Sequence, residues 1–119
     1  MIKGYNKKPN KISAKITDAE IQSAISHIEK SVDAYCKRNN NKVGTLISVR
    51  ILFGDKNRDW NGTALQNIYD YHKNANRVKN PKNQAAKDVG WLFKKVLMDD
   101  KRVFEYHSKD SSKVYRLVK

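Results

Sequence analysis

VFEYHSKDSSKVYRLVK, residues 103–119, is the stretch that decides the fold. Phe104 and Tyr106 alternate with Glu105 and His107, and Tyr115 and Leu117 flank Arg116, the period of two that marks half-buried strands. Between them SKDSSK is too polar to pack and rich in turn-forming residues, so the spacing predicts a β-hairpin with a solvated tip. Phe104, Tyr106, Tyr115 and Leu117 would share its inward face, with Lys109, Lys113 and Arg116 at the tip or on the outer face. A two-stranded hairpin is marginal by itself in water, so it needs the upstream helices as support.

Immediately upstream, Asn80 and Pro81 are an N-cap and the one early helical position that tolerates proline, and they open a helix reaching about Met98. Its inner face is Ala85, Val89, Leu92, Phe93, Val96 and Leu97; its outer face is Gln84, Lys87, Asp88, Trp91, Lys94 and Lys95. Before it, Thr63 and Gln66 have capping-box spacing, and Leu65, Ile68, Tyr69 and His72 share one face of a helix over about 64–75. TLISVRILF, residues 45–53, fits either a short strand or a short helix capped by Thr45, and Trp60 is expected to pack the following loop down before a turn at Asn61 and Gly62. Thr17 and Glu20 form another capping box, with Ile16 and Ile21 placed as a hydrophobic staple. From there Ile21, Ala24, Ile25, Ile28, Val32 and Tyr35 trace one apolar stripe as far as about Arg38, where NNNKVG ends the helix.

Lys3, Lys7, Lys8, Lys11 and Lys15 fall within residues 1–16 without an acid among them, and the segment also holds Gly4 and Pro9. That composition reads as a basic arm that buries little, with residues 17–119 as one domain. Across the 119 residues, 25 Lys and Arg against 12 Asp and Glu leave a net charge of +13, which points to a polyanionic partner. No apolar run is long enough for a membrane span and no signal-peptide core follows the start, so the expectation is a cytoplasmic protein without a membrane partner. A lone cysteine, Cys36, leaves no internal disulfide and reads as a small buried filler; with only three scattered histidines the sequence offers no recognisable zinc site, and no cofactor is expected.

Helix, irregular segment, helix, short turn, helix, hairpin is the order of a winged helix-turn-helix: an α+β, mainly helical domain of three main helices with a C-terminal β-hairpin wing. AAKDVGWLFKKVL followed by SKVYRLV also resembles the end of the RFX-type winged helix, over residues 85–119. In that family an arginine-rich run at the start of the wing reads bases. Here the corresponding KRVFEYHSKDSSK holds Arg102 as its only arginine, so the resemblance carries the fold further than the readout.

The expected function is therefore binding of double-stranded DNA with some sequence preference. The chain would act as a small repressor in transcription regulation, or as an accessory factor marking a site for plasmid or phage replication or conjugation machinery. Candidate contacts are Lys82, Gln84, Lys87, Trp91, Lys94 and Lys95 on the third main helix, Lys109, Lys113 and Arg116 on the wing, and Lys7, Lys8 and Lys11 on the arm. Lysines neutralise phosphates, Gln84 could reach a base edge, and an outward tryptophan marks a contact face. The alternatives are a protein-interaction module such as a phage-type inhibitor, and a binder of structured RNA; a homodimer or a larger nucleoprotein complex fits either the DNA reading or its rivals. Catalysis is not expected. Asp55, Asp59, Asp99, Asp100 and Glu105 lack a recognisable catalytic spacing and are better explained by salt links, while His27, His72 and His107 read as structural.

Overall fold

A computed structural model describes residues 1–4, 11–54, 60, 62–109 and 112–119. Lys7 and Lys8, Asp55 and Asp59, Asn61 and the hairpin tip at 110–111 lie outside the described residues. The chain is a mainly helical α+β protein: α1 (Asp18–Arg38), β1 (Leu46–Ile47), α2 (Val49–Phe53), α3 (Gln66–Ala75), α4 (Pro81–Asp99), β2 (Phe104–Lys109) and β3 (Ser112–Leu117). None of these helices is long and apolar enough to cross a membrane.

The start of α1 follows from its sequence. Thr17 Oγ1 accepts from the Glu20 amide, and the Glu20 carboxylate accepts from Thr17 N and Oγ1, closing the capping box. At the other end Asn40 and Asn41 take φ of 57° and 50°, a left-handed turn that asparagine tolerates better than other side chains, and the Asn41 amide closes on the Cys36 carbonyl at 2.8 Å. Gly44, at φ 97°, then turns the chain into β1, and its amide donates to the Leu117 carbonyl.

Residues 45–53 hold both of the alternatives that the sequence leaves open. Leu46 and Ile47 pair with Arg116 and Tyr115, and Ser48, not Thr45, caps α2 by accepting from the Ile51 amide. The resulting antiparallel sheet has the order β1-β3-β2, so the hairpin gains a third strand and β3 is central. Phe104 faces Leu117 and Tyr106 faces Tyr115 across the hairpin, and the pairing continues through Ser108 with Lys113 and Lys109 with Ser112, residues expected in the polar tip. Phe104, Tyr115 and Leu117 are buried. Tyr106 is not: it is 50% exposed, covering Tyr115 edge-on at 5.7 Å beyond the margin of the core.

Two helix expectations need correction. Leu65 is the N-cap of α3, so the Thr63–Gln66 capping box does not form; Thr63 Oγ1 instead donates to the Trp60 carbonyl and accepts from the Leu65 amide, and Gln66 bonds Asp70 one turn on. The α4 cap holds as expected, Asn80 accepting from the Asn83 amide ahead of Pro81. All six predicted inner-face residues of α4 are buried against α1, α3 and the sheet, each apolar side chain contributing on the order of 1.5–3 kcal/mol of burial for the larger ones. Asp88, expected on the outer face, is 1% exposed and belongs to the interior.

The basic segment 1–16 also differs from an arm that buries little. Ile2 is buried and forms a parallel bridge to Phe104, and Ala14 is buried with Ile12 and Ile16 packed beside it. The apolar residues interleaved among the lysines account for this. Trp60 and Cys36 are core residues, as expected.

Candidate nucleic-acid interface

Helical geometry places Lys87, Trp91 and Lys94 on the side of α4 opposite its buried stripe, with Gly90 between them. Lys87 and Lys82 are exposed, whereas Trp91 and Lys94 are half-buried. What covers Trp91 is the sheet: Lys113 Nζ, from β3, lies 5.1 Å from the indole centroid, and Lys94 Nζ lies 5.6 Å from it. Lys113 thus joins the hairpin to the helix through the Trp91 ring, which also takes the Lys94 ammonium of the same helix. Each cation–π contact is worth about 0.5–1 kcal/mol at an exposed site.

Among the described residues, four cations elsewhere are matched by carboxylates. Arg116 donates to Glu105 at 2.6 Å across the outer face of the hairpin, and its hydrogen bond holds the Glu105 carboxyl below the usual carboxylate range. Lys95 pairs with Asp99 one turn on. Arg102 reaches Asp33 at 2.6 Å, Asp100 at 3.1 Å and Asn41 at 3.0 Å, tying α1 to the end of α4, and Lys37 adds to Asp33 at 2.9 Å. The Arg102 hydrogen bond, then that of Lys37, lowers the Asp33 pKa. These pairs rim a cleft of about 850 Å³ between α1 and the end of α4. Glu29, Asp33, Asp99 and Asp100 stand on it together with Lys30, Lys95, Lys101, Arg102 and Lys119, so its charges are largely balanced. Among the described residues Lys82, Lys87, Lys113, Lys11 and Lys15 have no such carboxylate partner.

The structure therefore divides the sequence-derived candidates. Lys87, Trp91, Lys94 and Lys113 come together at the junction of α4 and the hairpin, and Lys82 is exposed at the start of α4. Lys95 and Arg116 are drawn into ion pairs. Lys109 ends β2, paired with Ser112. Gln84 is half-buried and donates to Ser13 Oγ at 2.8 Å, which removes its amide nitrogen from base reading.

That contact leads to a cluster the sequence reading missed. Asp88 accepts from Ser13 N at 2.9 Å, Ala14 N at 3.1 Å, Ser13 Oγ at 3.0 Å and His72 Nε2 at 2.7 Å. A carboxylate only accepts, so the imidazole carries its proton on Nε2. Ser13 Oγ also approaches that same nitrogen, at 3.4 Å. A nucleophilic relay needs the serine and the carboxylate on opposite ring nitrogens, and here both are on one, so the cluster is a clasp and does not activate Ser13. Its signal in the sequence is the alternation of Lys11, Ser13 and Lys15 with Ile12, Ala14 and Ile16, together with the one-turn spacing of Gln84 and Asp88. Among the described residues no three His, Cys, Asp or Glu side chains gather as metal ligands.

No protein-family model, no curated protein and no solved structure matches this chain.

Proposed function

We propose that the chain is a winged helix-turn-helix protein that binds double-stranded DNA, with α3 and α4 as the helix pair, α4 presented to a groove and β2–β3 as the wing. The observation that carries this reading is the meeting of Lys94 and Lys113 on Trp91, beside Lys87: one cation from the helix and one from the hairpin are brought to a single surface. The net charge of +13 supports it, because the carboxylates on the α1 side of α4 take up nearby cations and leave this flank positive. Backbone phosphates supply the affinity, and contacts of the α4 outer face supply the preference for sequence. In the cell the protein acts as a small repressor, or marks a site for replication or conjugative-transfer machinery.

The test is a binding titration on duplex DNA over a range of salt. Contact with about six phosphates gives a slope near −5 for log affinity against log salt. A slope near −1 defeats the reading, and tighter binding to a structured RNA than to any duplex moves it to RNA. Selection of bound duplexes from a random pool then reads the preferred site.

A further inference from the structure

We infer that residues 11–15 are a second, fixed limb of the nucleic-acid surface, binding backbone phosphate through Lys11 and Lys15, and that Asp88 is the residue that positions it. The inference rests on the DNA-binding reading above and extends its surface across the seam of α3 and α4.

The segment has a strand-like alternation. Ile12, Ala14 and Ile16 pack on the core, while Lys11, Ser13 and Lys15 are exposed. Its middle is anchored from both helices, since Asp88 and Gln84 belong to α4 and His72 to α3. The anchor is set firmly: the carboxylate is 1% exposed and takes donors from two backbone amides, a hydroxyl and an imidazole. Removing such an acceptor leaves buried donors unpaired, so the segment has no cheap way to lift off.

Lys11 and Lys15 each lie two residues from Ser13, within about 7 Å of it along an extended chain. Both are therefore held beside the Gln84 flank of α4, one turn of helix from Lys87. Neither has a carboxylate partner among the described residues. Of the acids that follow, Asp18 opens the first turn of α1 and Glu20 is occupied by Thr17 in the capping box. A free basic arm would lose conformational entropy on binding; this segment is ordered beforehand. Two lysines flanking one anchored point of the chain, without an aromatic or amide among the exposed positions, suit a run of phosphates and not a base.

The experiment compares salt slopes on one duplex for four proteins, with a thermal melt on each. Lys11→Ala with Lys15→Ala should reduce the steepness of the slope by about two, with no change in Tm. Asp88→Asn keeps both lysines but turns one of the two acceptor oxygens into a donor, leaving too few acceptors for the donors of Ser13, Ala14 and His72, and should reduce the slope by the same amount. Combining all three substitutions should give no further reduction, because the lysines and the carboxylate act through one limb. A purely structural Asp88 would lower Tm without changing the number of phosphates neutralised. If Asp88→Asn does not fold, Ser13→Ala removes only the hydroxyl link and should shift the slope the same way by less; an unchanged slope there overturns the positioning role. A parent slope near −5 that survives loss of Lys11 and Lys15 overturns this inference and leaves the DNA reading intact. A parent slope near −1 overturns both.

Discussion

Arg102 and Lys113 carry the same charge and sit on opposite sides of the same fold. Arg102, its side chain 18% exposed, is held by Asp33, Asp100 and Asn41, and it fastens α1 to the end of α4. Lys113 is exposed over an indole, with no carboxylate partner among the described residues. The difference lies in where the acids are. Carboxylates gathered at the C-terminal ends of α1 and α4 turn nearby cations into structural braces, and the flank of α4 around Trp91 is left with cations that can act on something outside the molecule. On the proposed function, the net charge accounts for attraction of a polyanion, and the placing of the ion pairs favours the Trp91 flank as the face that meets it.

Substitutions on the two sides should fail in different assays. The largest effect is expected from Lys87→Ala, Lys94→Ala and Lys113→Ala combined. Losing about three phosphate contacts near 0.1 M salt should weaken duplex binding by roughly 100-fold or more, with Tm falling by no more than the loss of two cation–π contacts, about 1–2 kcal/mol, accounts for. A titration and a melt on the same sample decide it; a comparable loss of Tm would mean that the Trp91 junction is a brace like the other edge. Arg102→Ala should do the reverse, costing about 1–3 kcal/mol in chemical denaturation, because a partly buried network loses its centre, while duplex affinity changes less than about twofold.

Gly90→Ala probes how closely a ligand approaches the α4 backbone. An added Cβ meets nothing within 4 Å, so the helix should gain about 0.5–1 kcal/mol. If DNA lies against this face, affinity should fall several-fold despite the gain in stability; unchanged affinity would place the ligand away from Gly90. The smallest effect concerns Glu105. Arg116 holds its folded pKa below the unfolded value, so the pair stabilises the fold above the ordinary carboxylate range and loses that contribution as pH falls through the lowered pKa. Arg116→Ala should return the Glu105 titration toward the ordinary range, read by NMR of the side-chain carboxyl. A titration that does not move would mean the pair is not held in solution.

Features set by local spacing were legible in the sequence. The α4 stripe, the Thr17 capping box and the shared buried face of Phe104, Tyr115 and Leu117 each depend on residues a few positions apart or on a simple period. What escaped depends on partners far along the chain. Asp88 sits at the edge of the α4 stripe, where a helical wheel assigns it equally well to either side, and its burial is decided by Ser13 and His72. Residues 45–53 change from strand to helix within one apolar run, because Leu46 and Ile47 find a strand partner in β3 and the residues after Ser48 do not. Tyr106 has the right parity for the core but lies past the end of what α4 covers. The Trp91 junction was half visible: the tryptophan stood out, but Lys113 could be placed over it only once the hairpin was folded back onto α4.

The middle position of β3 has a consequence for how the molecule is made. Leu46 leaves the ribosome long before Arg116, the residue it pairs with, so β1 has no strand to join until nearly all of the numbered sequence has been synthesised. At a translation rate of about 5–20 residues per second, the interval lasts seconds, far longer than a helix needs to form. The helices can therefore form during synthesis, whereas β1 joins the sheet only once β3 has been made, and Lys113 reaches Trp91 only with β3 in place. Lys113 and Lys94 meet on one indole only then, so on the DNA-binding proposal a partly made chain carries the charge without the surface proposed to direct it.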